Sequence, residues 1–315
     1  MAQHTVSIII PVLNEAAIVK QTLERLQQHC EIEIIVVDGG SRDNTVAIAQ
    51  QKSVNTSIAR QSVGGVPPLE GTVEGGYARE TTEQRTQQRS VPCKGGANAP
   101  SSAERTREPL ALASEASASR SKSCEAGCWH NAPSSLSVKV ITVVGQSRAA
   151  QMNAGANIAR GDILLFLHAD TRLPANFVSL AIETLAQPGV VAGAFELAIE
   201  GTNKSLRWVE RLVKMRSHLL FLPYGDQAIF ISKSAFLKLE GFADLPIMED
   251  FEFIERAKSL GKIAIAPAAV TTSNRRWQKL GVWQTTLINQ LIIAGYYLGV
   301  SPVTLANFYR SRGKE

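Results

Sequence analysis

The chain reads Ile163-Leu164-Leu165-Phe166-Leu167-His168-Ala169-Asp170-Thr171, an apolar run that ends abruptly in a polar His-x-Asp. Five consecutive large apolar residues are typical of a strand buried on both faces, as in a parallel sheet covered by helices. In open α/β folds, ligands bind at the carboxyl ends of such strands. The sequence therefore predicts that Asp170 lies at a ligand-binding edge.

Two further strand-like runs end in polar residues. The run at Ser7–Ile10 stops at Pro11-Val12-Leu13-Asn14-Glu15, and the run at Ile32–Val37 stops at Asp38-Gly39-Gly40-Ser41. Segments with helical spacing of apolar residues follow these strands, in a β-α-β-α order. This order predicts an α/β fold with a mostly parallel, Rossmann-like sheet that carries helices on both faces.

The rest of the chain has a mixed pattern. We predict that the helix after the strand at 138–144 ends at Gly161, because glycine is common at helix C-termini. Apolar patterns then predict strands at 190–199, 227–231 and 262–266, and helices at 204–220 and 250–260.

Residues 51–137 interrupt the α/β pattern. Their aromatic residues are Tyr77 and Trp129 alone, and they are rich in Ser, Gly, Ala, Thr, Arg and Gln without strand or helix periodicity. Such a composition buries too little apolar surface to offset the entropy lost on ordering. We therefore predict one domain formed by residues 1–50 and 138–280, a disordered insertion at 51–137, and a C-terminal helical segment at 281–315.

Charge, hydropathy and cysteine content restrict the function. The net charge is +5, but no basic stripe with interleaved aromatic residues is present, so we do not expect nucleic acid as a partner. No apolar run is long enough to span a bilayer and no signal-like N-terminus is seen, which predicts a cytoplasmic protein. Three of the four cysteines lie in the insertion. A zinc site formed by Cys93, Cys124, Cys128 and His130 is the alternative to free thiols, but its spacing is irregular, and we predict neither a disulfide nor a structural metal.

Seven motifs occur in order outside the insertion: Ser7–Glu15 (SIIIPVLNE), Val36–Thr45 (VVDGGSRDNT), Arg148–Ala156 (RAAQMNAGA), Gly161–Thr171 (GDILLFLHADT), Gly225–Phe230 (GDQAIF), Met248–Phe253 (MEDFEF) and Arg275–Trp277 (RRW). Together they resemble the GT-A glycosyltransferases of family 2, and more closely a subfamily of small family-2-like proteins found alongside radical-SAM and selenium-related genes. The resemblance implies inverting transfer of a sugar from a nucleotide-diphosphate donor, with UDP favoured, to an acceptor hydroxyl. It identifies neither the donor sugar nor the acceptor.

The resemblance also implies where the donor binds. Asp38 corresponds to the aspartate that contacts the base, while Pro11, Asn14 and Glu15 would shape the base and ribose pocket. Asp170 would ligate Mn²⁺ or Mg²⁺ at the diphosphate, since hard cations take carboxylate and phosphate oxygens. The family pattern is Asp-x-Asp, whereas His168 stands at the first position here. We expect His168 to be a second metal ligand, a ribose contact or a packing residue, so strict metal dependence is in doubt.

Glu249 and Asp250 match the acidic pair from which family 2 draws its catalytic base, and Asp250 stands at the base position. An inverting displacement needs such a carboxylate to remove the acceptor hydroxyl proton. A charged helix N-terminus is the alternative interpretation of the pair. Arginines would neutralise the leaving diphosphate, and an aromatic side chain would stack on a sugar or base. We assign these and the remaining donor contacts to Arg148, Asp226, Arg275, Arg276 and Trp277.

Two other functions stay open on the sequence. Gly145-Gln146-Ser147-Arg148-Ala149 follows a strand and opens a helix, as does a serine hydrolase nucleophile, although alanine replaces the usual last glycine. A non-catalytic nucleotide-sugar-binding protein is the stronger alternative, because a fold can persist without its chemistry. The apolar segment Gly281–Val300 is interrupted by polar residues, which favours a docked helix. A peripheral membrane contact is its alternative role, through Trp283, Leu291, Tyr296 and Tyr297.

Replacing residues 51–137 with a short Gly/Ser linker should leave a soluble protein that unfolds cooperatively, because the predicted strands on either side fit one domain without the segment. Urea denaturation followed by circular dichroism measures this. Loss of soluble protein, or of a cooperative transition, would show that the segment contributes to the core.

Overall fold

A computed structural model describes residues 5–29, 32–52, 137–145 and 147–313. Its elements follow in chain order as strands and helices of one α/β unit. They are β1 (Val6–Val12), α1 (Ala16–Leu26), β2 (Ile32–Asp38), α2 (helical residues 45–52), β3 (Ser137–Thr142), α3 (Arg148–Ile158), β4 (Ile163–Phe166), β5 (Thr171–Arg172), α4 (Phe177–Leu185), β6 (Val190–Ile199), α5 (Lys204–Leu219), a 3₁₀ turn (Gly225–Gln227), β7 (Phe230–Ser232), α6 (Lys233–Lys238), α7 (Glu249–Ala257), β8 (Lys262–Thr272), α8 (Arg275–Leu280), α9 (Val282–Tyr297) and α10 (Pro302–Gly313).

The described strands form one sheet in the order β3-β2-β1-β4-β7-β6-β8-β5. The pairs β3/β2, β2/β1, β1/β4 and β6/β8 are parallel, while β7 and β5 pair antiparallel with their neighbours. The chain leaves β1 toward β2 and β3 on one side and returns to β4 on the other. Ligands of open α/β sheets bind outside such a reversal, here between the ends of β1 and β4.

Alternate residues of the central strands point into two separate cores. Ile8 and Ile10 pack with α1 and α4, whereas Ile9 packs with α3 on the other face. Strands buried on both faces lose the apolar-polar alternation, which is why they appear in the sequence as continuous apolar runs. The predicted fold class, a mostly parallel sheet with helices on both faces, is confirmed.

Two local predictions are wrong. Helix α3 ends at Ile158 with an extended Ala159, not at Gly161. Gly161 is needed for close approach instead, because a Cβ there would lie 2.7 Å from the backbone nitrogen of Ser7. The strand expected at 227–231 starts only at Phe230, since residues 225–227 form the 3₁₀ turn and Ala228 has a left-handed φ of 49°.

The two chain ends that border the predicted insertion lie at the edge of the sheet where strands begin. Ser137 pairs with Glu33 near the start of β2. Lys52, the last described residue of α2, is 2.8 Å from Glu24 near the end of α1. Residues 51 and 52 are thus helical and Ser137 belongs to β3, while the rest of the predicted insertion lies outside the described residues.

The C-terminal segment is helical and docks on the core. Ile288 and Ile292 of α9 and Leu305 of α10 are buried in the same apolar cluster as α3 and α7. Within the described ranges, no helix has the length and apolar character that crossing a membrane requires.

Candidate active site

The loops after β1 and β2 are tied to each other at the carboxyl edge of the sheet. Asn14 adopts a left-handed φ of 55°, its backbone N–H donates to Ser41 Oγ at 2.8 Å, and its Oδ1 accepts from the Arg42 N–H at 2.8 Å. The Glu15 N–H donates to Thr45 Oγ1 at 2.9 Å. Asparagine tolerates this backbone conformation better than most residues, so Asn14 holds the two predicted donor loops in register.

Asp38 is the last residue of β2 and is 1 % exposed. Its Oδ2 accepts the N–H groups of Gly40 at 2.9 Å and Ser41 at 3.0 Å. Oδ1 has a weaker contact of 3.3 Å with the Ser41 N–H. The carboxylate therefore shapes the turn after β2, and Oδ1 keeps capacity for a further donor. Contact with a nucleotide base stays a prediction.

Arg275 joins the ends of β1 and β4. Its Nη2 lies 3.5 Å from Glu15 Oε2 and 3.4 Å from Asp170 Oδ2. Burial raises the pKa of Glu15, while the charge of Arg275 opposes the rise and that of Asp170 adds to it. Glu15 and Asp170 thus both lie next to Arg275, beside the point between β1 and β4 where the strand order reverses.

A second cation, Arg148, stands at the start of α3. Its Nε is 2.5 Å from Oε1 of Glu249, whose residue is only 2 % exposed, and its Nη1 is 3.2 Å from His168 Nε2. A guanidinium can only donate, so this contact makes Nε2 the acceptor and places the imidazole proton on Nδ1. Burial first, and then Arg148, lowers the pKa of His168 to about 4, which keeps the ring neutral at pH 7.

Asp250 follows Glu249 at the start of α7 and is held by backbone donors. The Gly225 N–H donates to Oδ2 at 2.6 Å, and the Phe251 N–H contacts Oδ1 at 2.8 Å. A Cβ at Gly225 would lie 3.0 Å from Asp250 Oδ2 and 3.1 Å from His168 Nε2. Glycine at this position therefore lets the 3₁₀ turn approach both side chains.

A pocket connects these groups. Its polar lining comes from the start of α3, the end of β4, the 3₁₀ turn and the start of α7, and its apolar lining comes from the core. The lining residues are Arg148, Met152, Phe166, His168, Gly225, Ile229, Phe242 and Asp250. Three of the predicted site residues, Arg148, His168 and Asp250, thus share one cavity wall.

Asp226 lies in the same turn. Burial raises its pKa to about 6, against the lowering effect of Arg216, and Asp250 raises it further. Its Oδ1 is buried without a hydrogen-bond partner. An unsatisfied carboxylate oxygen beside a pocket is a candidate ligand-binding group.

An aromatic group borders Asp250 on the side of α9. The Phe251 ring lies 6.1 Å from Tyr224, 5.4 Å from Tyr296 and 5.5 Å from Tyr297, measured between ring centroids. The guanidinium of Arg216 lies 3.4 Å from the Tyr224 ring centroid, stacked on that ring. Neither Tyr224 nor Arg216 was predicted from the sequence. The GDQAIF motif begins directly after Tyr224, but Arg216 lies in α5, and nothing in the sequence signalled the stacking.

The remaining predicted residues do not line the pocket described above. Pro11 pairs with Val37 within the sheet, and Arg276 lies in α8. Trp277 packs partly buried against the core, with an indole N–H that has no partner. Stacking on a ligand stays a prediction for Trp277.

The geometry of Ser147 does not suit a nucleophile. Its Oγ caps α3 by accepting the Ala150 N–H at 3.1 Å, and it donates to Asp244 Oδ1 at 2.5 Å. Nucleophilic catalysis needs a general base on the hydroxyl, and the described partners of Ser147 include no histidine.

Comparison with known proteins identifies the family of the chain. The sequence profile "Glycosyl transferase family 2" matches residues 7–62 and 128–245, more than half of the chain. The protein belongs to glycosyl transferase family 2. The matched range includes the β1, β2 and β4 ends and the 3₁₀ turn that holds Asp250.

One curated relative matches part of the chain, and solved structures match its fold. The curated relative is a UDP-N-acetylglucosamine–dolichyl-phosphate N-acetylglucosaminyltransferase of Methanococcus voltae. It is 41 % identical over 51 residues, an alignment that covers 16 % of this chain and 20 % of the relative. The fold of the present chain resembles that of the mannosyltransferase PcManGT from Pyrobaculum calidifontis, solved in complex with GDP-Man and Mn²⁺. The TM-score is 0.54 at 14 % identity, over 93 % of this chain and 63 % of that chain.

A second structural relative is S. aureus TarS 1-349 in complex with UDP-GlcNAc. The TM-score is 0.50 at 13 % identity, over 86 % of this chain and 59 % of that chain. At such identities the likeness shows the fold alone. This chain spans a fifth of the curated relative and about 60 % of the two solved chains.

Asp226→Asn should stabilise the folded protein at neutral pH. Because the folded-state pKa is raised to about 6 from an ordinary value near 4, the stability linked to Asp226 is fully present below about pH 4 and is lost as the pH rises through 6. The neutral amide avoids that loss, so we expect the free energy of unfolding to rise by about 1–3 kcal/mol at pH 7.5 and to change little at pH 4.

Urea denaturation between pH 4 and pH 7.5 tests this, with the exposed Glu183→Gln as the matched control. A difference between Asp226→Asn and wild type that does not vary with pH would contradict the assignment.

Proposed function

We propose that the protein is an inverting glycosyltransferase that moves a sugar from a nucleotide-diphosphate donor to an acceptor hydroxyl. One observation carries the proposal: Asp250 lies on a pocket beside Arg148 and His168, with Oδ2 held at 2.6 Å by the Gly225 N–H. A carboxylate next to a cation at the ligand-binding edge suits both halves of the reaction. The carboxylate would accept a proton, while Arg148 would meet the negative charge of the leaving diphosphate.

Asp250 is the proposed general base. Its carboxylate would take the proton of the acceptor hydroxyl as that oxygen attacks the anomeric carbon, in a single displacement that inverts the anomeric configuration. The Gly225 N–H fixes the orientation of the carboxylate before the acceptor binds. Glu249 was grouped with Asp250 as catalytic from the sequence. Because it is buried and paired with Arg148, we propose that its part is to hold that arginine in place.

The donor would bind across the ends of β1, β2 and β4. We propose that Asp38 Oδ1 accepts from the base, and that Pro11, Asn14 and Glu15 border the base and ribose. Arg275 already lies between Glu15 and Asp170, and we propose that it turns toward the diphosphate. Arg276, Trp277 and Asp226 are proposed further contacts of the donor.

A divalent cation fits this site only with help from the donor. Across residues 5–29, 32–52, 137–145 and 147–313, no group of three His, Cys, Asp or Glu side chains could hold a metal ion. Asp170 supplies one carboxylate, and phosphate oxygens would complete the coordination, as is common for Mg²⁺. Nε2 of His168 already accepts from Arg148, so His168 ligates only if Arg148 moves away. When bound, the cation would neutralise diphosphate charge.

The family relationship supports the donor class. The named relatives act on or were crystallised with UDP-N-acetylglucosamine or GDP-Man, and the curated one supports our preference for a UDP-linked sugar. These relatives identify neither the acceptor nor the sugar of the donor. A thermal-shift screen of UDP-glucose, UDP-GlcNAc and GDP-mannose, with and without Mn²⁺, identifies the donor, since ligand at a hundredfold excess over Kd stabilises by about 2.7 kcal/mol.

Asp250→Asn should lower transfer by about 10²–10⁴-fold with donor affinity nearly unchanged, because the amide keeps the size of the side chain but cannot accept the proton. Release of nucleotide diphosphate from the donor identified in the screen measures turnover, and calorimetry measures donor binding. Glu255→Gln, an exposed position on the same helix, is the matched control.

A glycosyltransferase and a non-catalytic nucleotide-sugar-binding protein give different results in these measurements. If the wild-type protein binds the donor but releases no nucleotide diphosphate with any acceptor tested, the protein is a non-catalytic nucleotide-sugar-binding protein. An Asp250→Asn variant with the turnover of wild type would remove Asp250 from the mechanism and direct attention to Asp226.

Asp170→Ala should abolish the gain in donor affinity that Mn²⁺ provides, because Asp170 is the one carboxylate proposed as a ligand. His168→Ala should weaken that gain less. The fold should remain intact, since Asp170 lies in the turn between β4 and β5 and outside the buried strand. Calorimetry of UDP binding with and without Mn²⁺ measures both effects, with Glu200→Ala as an exposed control. Unchanged UDP affinity of Asp170→Ala in Mn²⁺ would contradict the assignment.

A further inference from the structure

Helix α5 has an exposed stripe of apolar side chains that are not buried in the core. Its core-facing side buries Leu206 and Val209. On the solvent side lie four apolar side chains within an arc of about 60° around the helix axis. They are Trp208, Leu212, Met215 and Leu219, with exposures of 57 %, 46 %, 54 % and 68 %.

The neighbouring helix α9 repeats this feature. It packs against α5 and has no charged residue in its sequence VWQTTLINQLIIAGYY. Trp283, Leu287 and Leu291 recur every four residues on one face and are 69 %, 60 % and 49 % exposed. We refer to the seven exposed apolar side chains of the two helices as the α5–α9 surface. Exposed apolar clusters of this kind are typical of interaction sites.

Positive charge is concentrated on the same part of the chain. Helix α5 contains five Lys and Arg residues but one acidic residue, Glu210, and α9 contains no charged residue. The two helices thus carry a net charge of +4, against +5 for the whole chain. The partner of this surface is therefore expected to be anionic.

Two cations adjoin the apolar stripe of α5. Lys204 is exposed, and the Arg211 guanidinium lies 5.6 Å from the centre of the Trp208 ring. A tryptophan beside an arginine places an apolar body and a cationic tip on one side of the helix, as in helices that lie at the boundary between lipid headgroups and acyl chains.

We propose that the α5–α9 surface docks on an anionic lipid bilayer, with the two helices parallel to the membrane plane. Apolar side chains would enter the headgroup boundary while the basic residues contact anionic headgroups. Of the C-terminal residues that the sequence suggested for membrane contact, Trp283, Leu291 and Tyr297 are exposed. Tyr296 packs on Phe251 instead. The proposal stands independently of the proposed transfer reaction.

The geometry links this surface to the pocket. Immediately after α5, Leu220 and Phe221 are 57 % and 50 % exposed, and the chain then enters the turn that holds Asp250. Arg216, within α5, stacks on Tyr224 of that turn. Docking through α5 would therefore bring the mouth of the pocket close to the lipid surface.

Co-sedimentation of the full chain with sucrose-loaded vesicles tests the proposal. Vesicles of phosphatidylcholine alone are compared with vesicles that contain 30 mol % phosphatidylglycerol. We expect binding to the anionic vesicles that weakens as salt is raised, because counterions screen the headgroup charge. Lys204→Gln/Arg211→Gln should lower the partition coefficient by about 25-fold, about fivefold for each basic residue removed.

Trp208→Ser/Leu212→Ser should also weaken vesicle binding, by about tenfold or more, through loss of buried apolar area. Leu237→Ser/Lys238→Glu, two exposed positions on α6, is the matched control and should bind as wild type. Thermal unfolding verifies that each variant folds. If the apolar variant does not fold, the charge variant still tests the proposal. Absence of binding to anionic vesicles, or wild-type binding by both α5 variants, would overturn the proposal. So would a dimer, detected by light scattering, that Trp208→Ser/Leu212→Ser dissociates.

Discussion

The ion pair between Arg148 and Glu249 determines how the site is assembled. Each is the first residue of its helix, so the pair brings the N-termini of α3 and α7 together at the carboxyl edge of the sheet. An arginine at a helix N-terminus opposes the helix dipole, whereas a glutamate there favours it. Glu249 therefore offsets the unfavourable position of Arg148, and its own burial would be costly without that partner. His168 and Asp250 are positioned from the two ends of this pair.

Burial produces an electrostatic contrast near the pocket, and Arg148 adds to it at His168. His168 is kept neutral because burial and Arg148 both disfavour its protonated form, while burial favours the protonated form of Asp226. The pocket thus combines the guanidinium of Arg148, a neutral imidazole and the carboxylate of Asp250, beside the N-termini of α3 and α7. The proposed transfer reaction would require such a separation of charge states, because one cavity would have to accommodate both a diphosphate and a base.

The sequence predicted the parts of the fold that follow from local patterns. Buried strands, their polar ends and the order of the elements were evident, so the edge that carries Asp38 and Asp170 could be located. Contacts between distant residues were not evident. The Arg148–Glu249 pair, the stacking of Arg216 on Tyr224 and the role of Gly225 depend on how α3, α5 and α7 meet, and no spacing in the sequence encodes that. The end of α3 was predicted wrongly for the same reason, because Gly161 is required by its close approach to Ser7 and not by a helix C-terminus.

Helix α2 and strand β3 meet the rest of the chain at the amino edge of the sheet, as the Lys52–Glu24 and Ser137–Glu33 contacts show. Thr142, at the opposite end of β3, pairs with Asp38 beside the site. The length of one strand therefore separates this junction from the pocket mouth. For protein engineering the consequence is practical: a fluorophore or affinity handle attached at this junction would be joined to the edge of the sheet opposite the pocket.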